Sequence, residues 1–314
     1  MRVLIVGGRG FLGGALRRQL RASGYEVIVL TRAKSTRRDE IHWDGAGRGD
    51  WMAAVGEADA VINACGYGLE HWPWDAAKKR RFVGSRVEPG FALAKAVAQS
   101  SRRPRVFIQF SGINRYGLGG AAADETTPAA GDFLAQLTVG WEAATQSVEA
   151  FGVRRVVVRN AIVLDAHQGL FPLMSLPAKL FVGGRLGSGG QAVPWIHLTD
   201  HVRAVQHLLE DRQASGAFNL VSPVPTTNAE FMEATCKALR RPFWLHMPAF
   251  ALRLALGEMG VLVLAGRPSQ PIRLLNMGFR FAFPTIDLAL QDLFSSHKAQ
   301  SPPSASMAAL SDGR

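Results

Sequence analysis

The first 32 residues constrain the fold of this 314-residue chain more than any other stretch. Residues 2–6 form a short apolar run with β-branched side chains, which predicts a buried strand. The sequence GGRGFLG follows at residues 7–13, and apolar residues then recur about one turn apart up to Leu20, as in a helix. Gly24 ends the predicted helix, and a second predicted strand covers residues 26–30. The segment is therefore expected to form a β-α-β unit.

The spacing of three glycines in this segment has a mechanical explanation. Gly7 lets the chain turn tightly off the strand, Gly10 lets the backbone approach a pyrophosphate, and Gly13 lets the helix pack closely on the sheet. The phosphates would bind the free amides at the N-terminus of the helix. Because a strand precedes the glycines and a helix and a second strand follow them, the pattern predicts a dinucleotide site. An ordinary glycine-rich turn is the alternative.

The end of the second predicted strand indicates which dinucleotide binds. An NAD-specific site usually has an acidic residue there for the ribose 2′-hydroxyl, but this chain has Thr31 and Arg32. Arg32, Lys34 and the loop residue Arg9 are candidates to converge on a 2′-phosphate, so the sequence favours NADP(H) over NAD(H). The alternative is that all three are ordinary surface charges.

The composition is that of a globular chain from a reducing environment. With 47% hydrophobic residues, the chain can bury one large core, or a core with a satellite lobe. Its two cysteines, Cys65 and Cys236, are far apart and lack metal-ligand spacing, which argues against a disulfide framework or a zinc site. No signal peptide precedes the first predicted strand, so we expect a cytoplasmic protein.

The charge distribution bears on the partners of the chain. The formal net charge is +11, but the basic residues are scattered and no nucleic-acid-reading motif accompanies them. The most apolar segment, residues 247–266, carries Arg253 and Glu258 in its middle, which favours core helices over a membrane span. We therefore expect a small-molecule substrate, and neither nucleic acid nor membrane as a partner. An anionic substrate or a basic host proteome would account for the excess charge. The sequence does not indicate an oligomeric state.

Strands and helices alternate through the first half of the chain. Further strands are predicted at residues 41–43, 59–63, 105–110, 153–159 and 218–221, and helices at 74–101, 133–150, 199–209 and 227–239. Thr199 and Asp200 are the predicted cap of the third of these helices. This alternation predicts an α/β fold of the Rossmann type, with a doubly wound parallel sheet.

The predicted domains follow from where the alternation loosens. Residues 1–165 are expected to form an NADP(H)-binding Rossmann domain, whose sheet is completed by segments around 195–221. Residues 166–294 are expected to form mainly a smaller, mixed α/β C-terminal substrate lobe, with a short strand at 279–281. Residues 295–314, rich in Ser, Pro and Ala, are predicted to be a disordered tail.

Several motifs together resemble a known family. Residues 7–13 are similar to its GGTGFIG motif and residues 63–66 to its NLAG motif, and the chain also carries Ser85-Arg86-Val87, Trp141-Glu142 and Trp195-Ile196-His197. The chain resembles the extended short-chain dehydrogenase/reductase superfamily. Within it, the resemblance is to atypical NAD-dependent epimerase/dehydratase-like oxidoreductases with a C-terminal domain of unknown function.

This resemblance implies a set of site residues. The loops after the fourth and fifth strands would line the nicotinamide side of the cofactor, and Ser111 stands where the superfamily keeps a hydroxyl near the substrate carbonyl. An alternative role for Asn63 is to cap the turn at its strand end. The cofactor-binding residues so predicted are Gly7, Gly8, Arg9, Gly10, Phe11, Leu12, Gly13, Arg32, Asn63, Ala64, Cys65, Gly66 and Ser111.

The proton donor is the difficult part of the prediction. The Tyr-x-x-x-Lys pair of the superfamily is absent, since none of the three tyrosines has a lysine four residues later. The best remaining donor is Tyr116, where the adjacent Arg115 would stabilise a phenolate or hold an anionic substrate. The alternative is that Tyr116 is a packed loop aromatic. Tyr67 with His71 is a second candidate pair.

The leading functional hypothesis is an NADP(H)-dependent oxidoreductase or epimerase-like enzyme acting on a small carbonyl or hydroxyl substrate. Loss of the Tyr-x-x-x-Lys pair supports one alternative, a non-catalytic NADP(H)-sensing regulator. Another alternative is the same fold recruited for non-redox biosynthetic chemistry, in which the departures from the family's motifs at Tyr67, Asn114 and Arg115 would be changes of the active site.

Overall fold

The fold is taken from a computed structural model, which describes residues 1–34, 37–45, 47 and 49–299. Its strands are β1 (Arg2–Val6), β2 (Glu26–Thr31), β3 (Glu40–His42), β4 (Ala60–Asn63), β5 (Val106–Gly112), β6 (Arg154–Asn160), β7 (Ile162–Leu164), β8 (Gly183–Leu186), β9 (Trp195–His197), β10 (Gly216–Leu220) and β11 (Phe243–Met247). The main sheet has seven parallel strands in the order β10-β6-β5-β4-β1-β2-β3. The predicted α/β Rossmann-type sheet is thus confirmed.

Helices cover both faces of this sheet. They are α1 (Phe11–Ala22), α2 (Trp51–Glu57), α3 (Ala76–Gln99), α4 (Phe133–Ala143), α5 (Phe171–Met174), α6 (Leu176–Lys179), α7 (Leu198–Glu210), α8 (Asn228–Leu239), α9 (Ala249–Leu256), α10 (Val261–Leu264), α11 (Ile272–Asn276) and α12 (Ile286–Ala299). Short 3₁₀ helices lie at Ile113–Tyr116, Gln146–Phe151 and Gly257–Gly260. Among the helices described here, none has the length and apolar character needed to cross a bilayer.

The two faces of β1 show how the core is divided. Val3 and Ile5 belong to a cluster with residues of α1 and α7, whereas Leu4 and Val6 belong to a second cluster with residues of α2 and α3. This division follows from the two-residue period of a strand. Because both faces are buried, the strand is apolar throughout instead of alternating with polar residues. The chain order reverses between β1 and β4, and the carboxyl ends of these strands form the crevice where such folds bind ligands.

A smaller lobe follows the main sheet. It contains the two-stranded parallel pair β8–β11 and a third core cluster that includes Phe171, Trp195, Phe231 and Leu290. The strand β9 pairs with β7 outside the main sheet, and only β10 of the predicted completing segments joins the seven strands. Helix α8 begins at a capping box, in which Thr227 and Glu230 each bind the backbone amide of the other.

Several predicted element bounds are wrong. Helix α2 was not predicted, and the predicted helix at 133–150 ends at Ala143, after which a 3₁₀ helix follows. The cap of α7 is the side chain of His197, which accepts a hydrogen bond from the amide of Thr199. The carboxylate of Asp200, predicted to cap that helix, accepts instead from the amides of Ala282 and Phe283.

The predicted strand at 279–281 and the start of the predicted tail are also wrong. Residues 279–281 form no strand, since the amides just after them bind the Asp200 side chain and Phe279 packs edge-on against Phe281. Residues 295–299 continue α12, whose buried face includes Ala289, Leu290 and Leu293. The rest of the predicted tail, residues 300–314, lies outside the described residues.

Candidate functional site

Residues 7–13, called the phosphate loop below, span the turn after β1 and the first residues of α1, and their close contacts exclude side chains. Gly7 has φ +85°, a conformation that favours glycine. A Cβ atom at Gly7 would lie 2.8 Å from the carbonyl oxygen of Ala64, and one at Gly13 would lie 2.3 Å from the carbonyl oxygen of Gly7. The loop, the start of α1 and the end of β4 therefore come together only because these positions lack side chains.

The N-terminus of α1 is suited to an anion. The helix starts after Gly10 with no side-chain cap and with no acidic residue in its first turn. The first amides of a helix have no intrahelical acceptor, and the helix dipole is positive at that end. These amides thus fit the pyrophosphate of a dinucleotide, which is the ligand that the sequence predicts.

Basic side chains lie beside the phosphate loop, and one of them is held in place by an acid. Arg32 and Lys34 are exposed just after β2. Arg9 is 42% exposed at its side chain and binds the fully buried carboxylate of Glu40 through Nε, at 3.3 Å, and through Nη2. Arg17 Nη1 donates to the same carboxylate at 3.1 Å. Glu40 is not among the predicted site residues, and its only signal in the sequence is that of an acid beside a predicted strand.

Asn63, at the end of β4, has a structural role in the loop that follows. Its Nδ2 donates to Gln109 Oε1 at 3.0 Å, and its Oδ1 accepts from the amide of Cys65 at 3.3 Å. Asn63 is fully buried and caps the turn, as in the alternative stated above. The loop nevertheless lies at the predicted place, because Ala64 meets Gly7 and Gly66 is exposed at the strand end.

Ser111 near the end of β5 is joined to an ion pair between the buried Arg159 and the partly buried Glu142. Its Oγ donates to Glu142 Oε1 at 2.8 Å. Arg159 at the end of β6 holds the same carboxylate in a bidentate geometry, with Nε 2.9 Å from Oε1 and Nη2 3.0 Å from Oε2. Arg115 lies farther off, with Nη1 3.6 Å from Glu142 Oε2. The serine hydroxyl therefore directs its proton into the protein and leaves its lone pairs for other partners.

Tyr116 is 1% exposed and its hydroxyl is fully engaged. It donates to Asn219 Oδ1 at 2.6 Å and accepts from Arg159 Nη1 at 2.8 Å. Burial raises the pKa of Tyr116, and the Arg159 charge opposes that rise only in part. The cation beside the phenol is thus Arg159, and the expectation that Arg115 stabilises a phenolate there is corrected. Tyr116 is linked to Ser111 only indirectly, by hydrogen bonds through Arg159 and Glu142.

Tyr67 and His71 come together, but as packed rings. Their centroids are 4.1 Å apart in a stacked arrangement, and Arg81 lies over the Tyr67 ring at 3.9 Å. His71 Nδ1 is 2.9 Å from the carbonyl oxygen of Gly68, so it is a donor there. These contacts account for the pair as part of an aromatic cluster with Phe82, whose centroid is 5.7 Å from that of Tyr67.

Glu142, Arg159 and Asn219 are the site residues that sequence reasoning did not assign. They come from α4, β6 and β10, and the ladder places Ser111 opposite Arg159. A signal was present in α4, where Thr138 and Glu142 have the four-residue spacing that the superfamily uses for its tyrosine and lysine. This spacing puts Thr138 and Glu142 on one side of the helix. A hydroxyl and a carboxylate, however, differ chemically from the phenol and ammonium of the tyrosine–lysine pair.

Comparison with known proteins identifies the family. Residues 3–220 match the model of the NAD dependent epimerase/dehydratase family, and residues 247–293 match a domain of unknown function, DUF1731. The chain is 36% identical over 292 residues to epimerase family protein ML0860 of Mycobacterium leprae, covering 92% of this chain and 94% of that one. It is 34% identical over 300 residues to epimerase family protein SDR39U1 of Homo sapiens, covering 93% and 99%.

Solved structures agree with this assignment. The crystal structure of human SDR39U1 (isoform 2) with NADPH has a TM-score of 0.86 at 33% identity and covers 94% of this chain and 99% of that one. The UDP-glucose 4-epimerase of Thermotoga maritima, with UDP-glucose, has a TM-score of 0.75 at 14% identity over 95% and 99% of the two chains, which shows the fold alone. With its parallel sheet, its phosphate loop and matches along nearly its whole length, the chain belongs to the NAD dependent epimerase/dehydratase family of the extended short-chain dehydrogenase/reductase type.

Proposed function

We propose that this protein is an NADP(H)-binding oxidoreductase or epimerase-like enzyme that acts on a small carbonyl or hydroxyl substrate. The observation that carries the proposal is the position of Ser111. Its hydroxyl stands near the carboxyl end of β5, hydrogen-bonded to the Glu142–Arg159 ion pair, at the sheet edge that also holds the phosphate loop. The NADPH in the human SDR39U1 structure supports the choice of cofactor.

The chain offers separate groups for the parts of the cofactor. The phosphate loop and the amides of α1 would hold the pyrophosphate, and Arg9 and Arg32 would hold the 2′-phosphate. The loop with Ala64 and Gly66 would line the nicotinamide side. When bound, NADP(H) supplies or accepts a hydride, which is chemistry that no side chain can provide.

Ser111 would orient the reacting oxygen of the substrate. Because its proton is directed to Glu142, Ser111 Oγ has lone pairs that can accept a hydrogen bond from a substrate hydroxyl. Arg159 balances the carboxylate charge, so the pair holds the serine rotamer without a net buried charge. Tyr116 supports Arg159 from the other side, which makes it a positioning residue in this proposal.

The experiment is a titration of the purified protein with NADPH and NADH, followed by assays on a panel of carbonyl and hydroxyl compounds. We expect NADPH binding, with turnover of at least one compound. Ser111→Ala should abolish turnover and Tyr116→Phe should lower it, and both should leave NADPH affinity intact. Absence of NADPH binding at millimolar supply would overturn the proposal, and unchanged turnover in both variants would remove the roles given to these residues.

A non-catalytic NADP(H) sensor is the second candidate. It is favoured by the pairing of both hydroxyls, since Ser111 and Tyr116 donate their protons to Glu142 and Asn219 within the protein. The same experiment separates the two functions. Tight NADPH binding without turnover of any panel compound would favour the sensor.

A further inference from the structure

Four large apolar side chains are exposed at one end of the smaller lobe, and we call them the apolar tip. Leu180, Phe181 and Val182 form the turn between α6 and β8, and Trp244 lies on β11, the strand that pairs with β8. Their exposed fractions are 62%, 53%, 40% and 65%. Trp244 Nε1 donates to the carbonyl oxygen of Phe181 at 2.9 Å, so the indole lies against the turn. A contiguous exposed apolar surface of this kind is typical of a binding surface.

The backbone of this turn holds Phe181 in a conformation that favours glycine. Its φ is +64°, in the left-handed region, where a bulky side chain is an outlier. Helix α6 ends here in a Schellman motif, in which the amide of Val182 donates to the carbonyl oxygen of Pro177 at 2.9 Å and that of Phe181 to Ala178 at 3.2 Å. Glycine is the usual residue at the position that Phe181 occupies. Because local strain of this kind is concentrated at functional sites, it indicates a use for the exposed phenyl ring.

The amides of the turn and the indole N–H are already paired within the protein. The amides of Phe181 and Val182 are bonded as just described, and that of Leu180 donates to the carbonyl oxygen of Leu176 at 3.0 Å. The indole N–H of Trp244 takes up the carbonyl oxygen of Phe181. Groups that enter hydrocarbon must be paired in this way, because lipid tails offer no hydrogen-bond partners. A protein partner sets no such condition, since it can supply matching polar groups. The pairing therefore favours a lipid surface.

The segments that carry the apolar tip are basic and contain no acidic residue. Residues 171–186 and 237–256 include α6, β8 and β11 and have no Asp or Glu. Their exposed basic residues are Lys179, Arg185, Lys237, Arg240, Arg241 and Arg253. Arg241 lies over the Phe181 ring, with Cζ 4.0 Å from the ring centroid. The acid that comes closest along α8, Glu233, lies about two turns before Arg240. This local positive charge complements an anionic surface and opposes contact between two copies of the same patch.

We propose that the apolar tip binds the surface of an anionic lipid bilayer. The rings of Phe181 and Trp244 would enter the headgroup boundary, where aromatic side chains are favoured, and Lys179, Arg240 and Arg241 would contact lipid phosphates. This inference goes beyond the proposed function and does not depend on it. It revises the sequence-based expectation of no membrane partner, which considered a spanning helix and not a short exposed turn.

The test is flotation of the purified full-length protein with vesicles of phosphatidylcholine alone and of equimolar phosphatidylcholine and phosphatidylglycerol. We expect binding to the anionic vesicles that weakens as salt is added, since charge and apolar area both contribute. Phe181→Gly should weaken this binding about tenfold or more, because the phenyl ring no longer leaves water. Its melting temperature should not fall, since glycine suits the backbone there. Arg241→Gln should weaken binding about fivefold, as for the loss of one basic residue near the lipid surface.

Matched variants separate the apolar tip from general adsorption of a basic protein. Leu288→Ser removes a side chain that is 45% exposed on α12, and Arg212→Gln removes an exposed charge outside the tip. Both should bind the anionic vesicles like the wild type. Trp244→Phe should lose most of the tryptophan quenching that bromine-labelled acyl chains produce, since Trp244 is the tryptophan of the tip. Unchanged quenching in that variant would show that the tip does not enter the bilayer.

Three other results would overturn the proposal. The first is no binding to anionic vesicles, or equal losses in Arg241→Gln and Arg212→Gln with no loss in Phe181→Gly. The second is self-association without lipid that Phe181→Gly abolishes in analytical ultracentrifugation, which would assign the tip to a second copy of the chain. The third is Phe181-dependent binding of soluble polyglutamate, which would assign the tip to an acidic protein segment.

Discussion

The phosphate loop and the edge around Ser111 lie at the same end of the sheet but are built in opposite ways. The phosphate loop depends on missing side chains, with Gly13 packed against the carbonyl oxygen of Gly7. The Ser111 edge depends on charged side chains, with the partly buried Glu142 and the buried Arg159 joined through two hydrogen bonds. One site is made by a contiguous stretch of seven residues, and the other by residues from separate strands and helices.

This difference predicts which kind of substitution damages each site. In the phosphate loop, a single added methyl group meets backbone atoms that cannot move aside. At the Ser111 edge, shape is less critical than charge balance, because removing one partner leaves the other ionised and buried. Substitutions that add volume should therefore damage the first site most, and substitutions that remove charge should damage the second most.

The largest effect on stability is expected from Glu142→Gln, which removes the negative charge that balances Arg159. Arg159 would remain buried without a carboxylate, and we expect a loss of about 3–5 kcal/mol in the free energy of unfolding, measured by urea denaturation. The control is Glu149→Gln, because Glu149 pairs with Arg155 at 3.3 Å but is 48% exposed. That variant should lose at most about 1 kcal/mol. Equal losses in both would contradict the contrast drawn here.

Gly13→Ala adds a methyl group where the phosphate loop has no room for one. Its Cβ atom would lie 2.3 Å from the carbonyl oxygen of Gly7, so the loop must move away from α1. We expect NADPH affinity to fall about 100-fold or more, which corresponds to about 2.8 kcal/mol. Gly14→Ala is the matched control, since its Cβ atom would lie 3.7 Å from the carbonyl oxygen of Gly8 and 3.8 Å from Nη1 of Arg18. It should bind NADPH normally and gain about 0.5–1 kcal/mol in stability as a helical glycine replacement.

The pH dependence of stability tests the Ser111 edge without removing a charge pair. His201 is buried, its Nε2 lies 2.9 Å from Asn160 Oδ1, and Asn160 Nδ2 donates to the carbonyl oxygen of Ser111. Burial lowers the pKa of His201 to about 3. The native state therefore stays neutral there while the unfolded state takes up a proton below about pH 6.5.

Stability should accordingly fall as the pH is lowered from about 6.5 toward 3, with His201 contributing about 1.4 kcal/mol per pH unit. Urea midpoints measured across this range check the slope. His201→Gln keeps an N–H donor for Asn160 but does not titrate, so its slope should be smaller. His42→Gln, at an exposed histidine, should leave the slope as in the wild type. A slope that His201→Gln does not change would show that burial of this ring is not the cause.

The smallest effect is expected from Arg9→Gln, which sharpens the assignment of the phosphate loop. Arg9 is 42% exposed and held by Glu40, and in the proposed function it would contact the 2′-phosphate that distinguishes NADPH from NADH. We expect the ratio of NADPH to NADH affinity to fall about tenfold, or about 1.4 kcal/mol, with NADH affinity unchanged. Arg18→Gln, at an exposed arginine of α1, should leave the ratio unaltered. A parallel loss for both nucleotides would mean that Arg9 supports the loop and does not select the cofactor.

The contiguous parts of the molecule were predictable from sequence. The β-α-β unit and the glycine spacing are local, because a strand, a turn and a helix N-terminus each depend on neighbouring residues. The errors fall where a distant group decides the outcome. Residues 279–281 resemble a strand, but Asp200 takes the amides that follow them.

The amino-acid sequence by itself determined the parallel sheet, the family and the place of the phosphate loop. Only the tertiary structure decided that Ser111 donates its hydrogen bond to Glu142 and that the cation beside Tyr116 is Arg159. The physical reason is that secondary structure follows from side-chain periodicity along the chain. Pairing of buried charges, in contrast, is set by which strands and helices meet, and separations of 17 and 43 residues leave no periodic trace in the sequence.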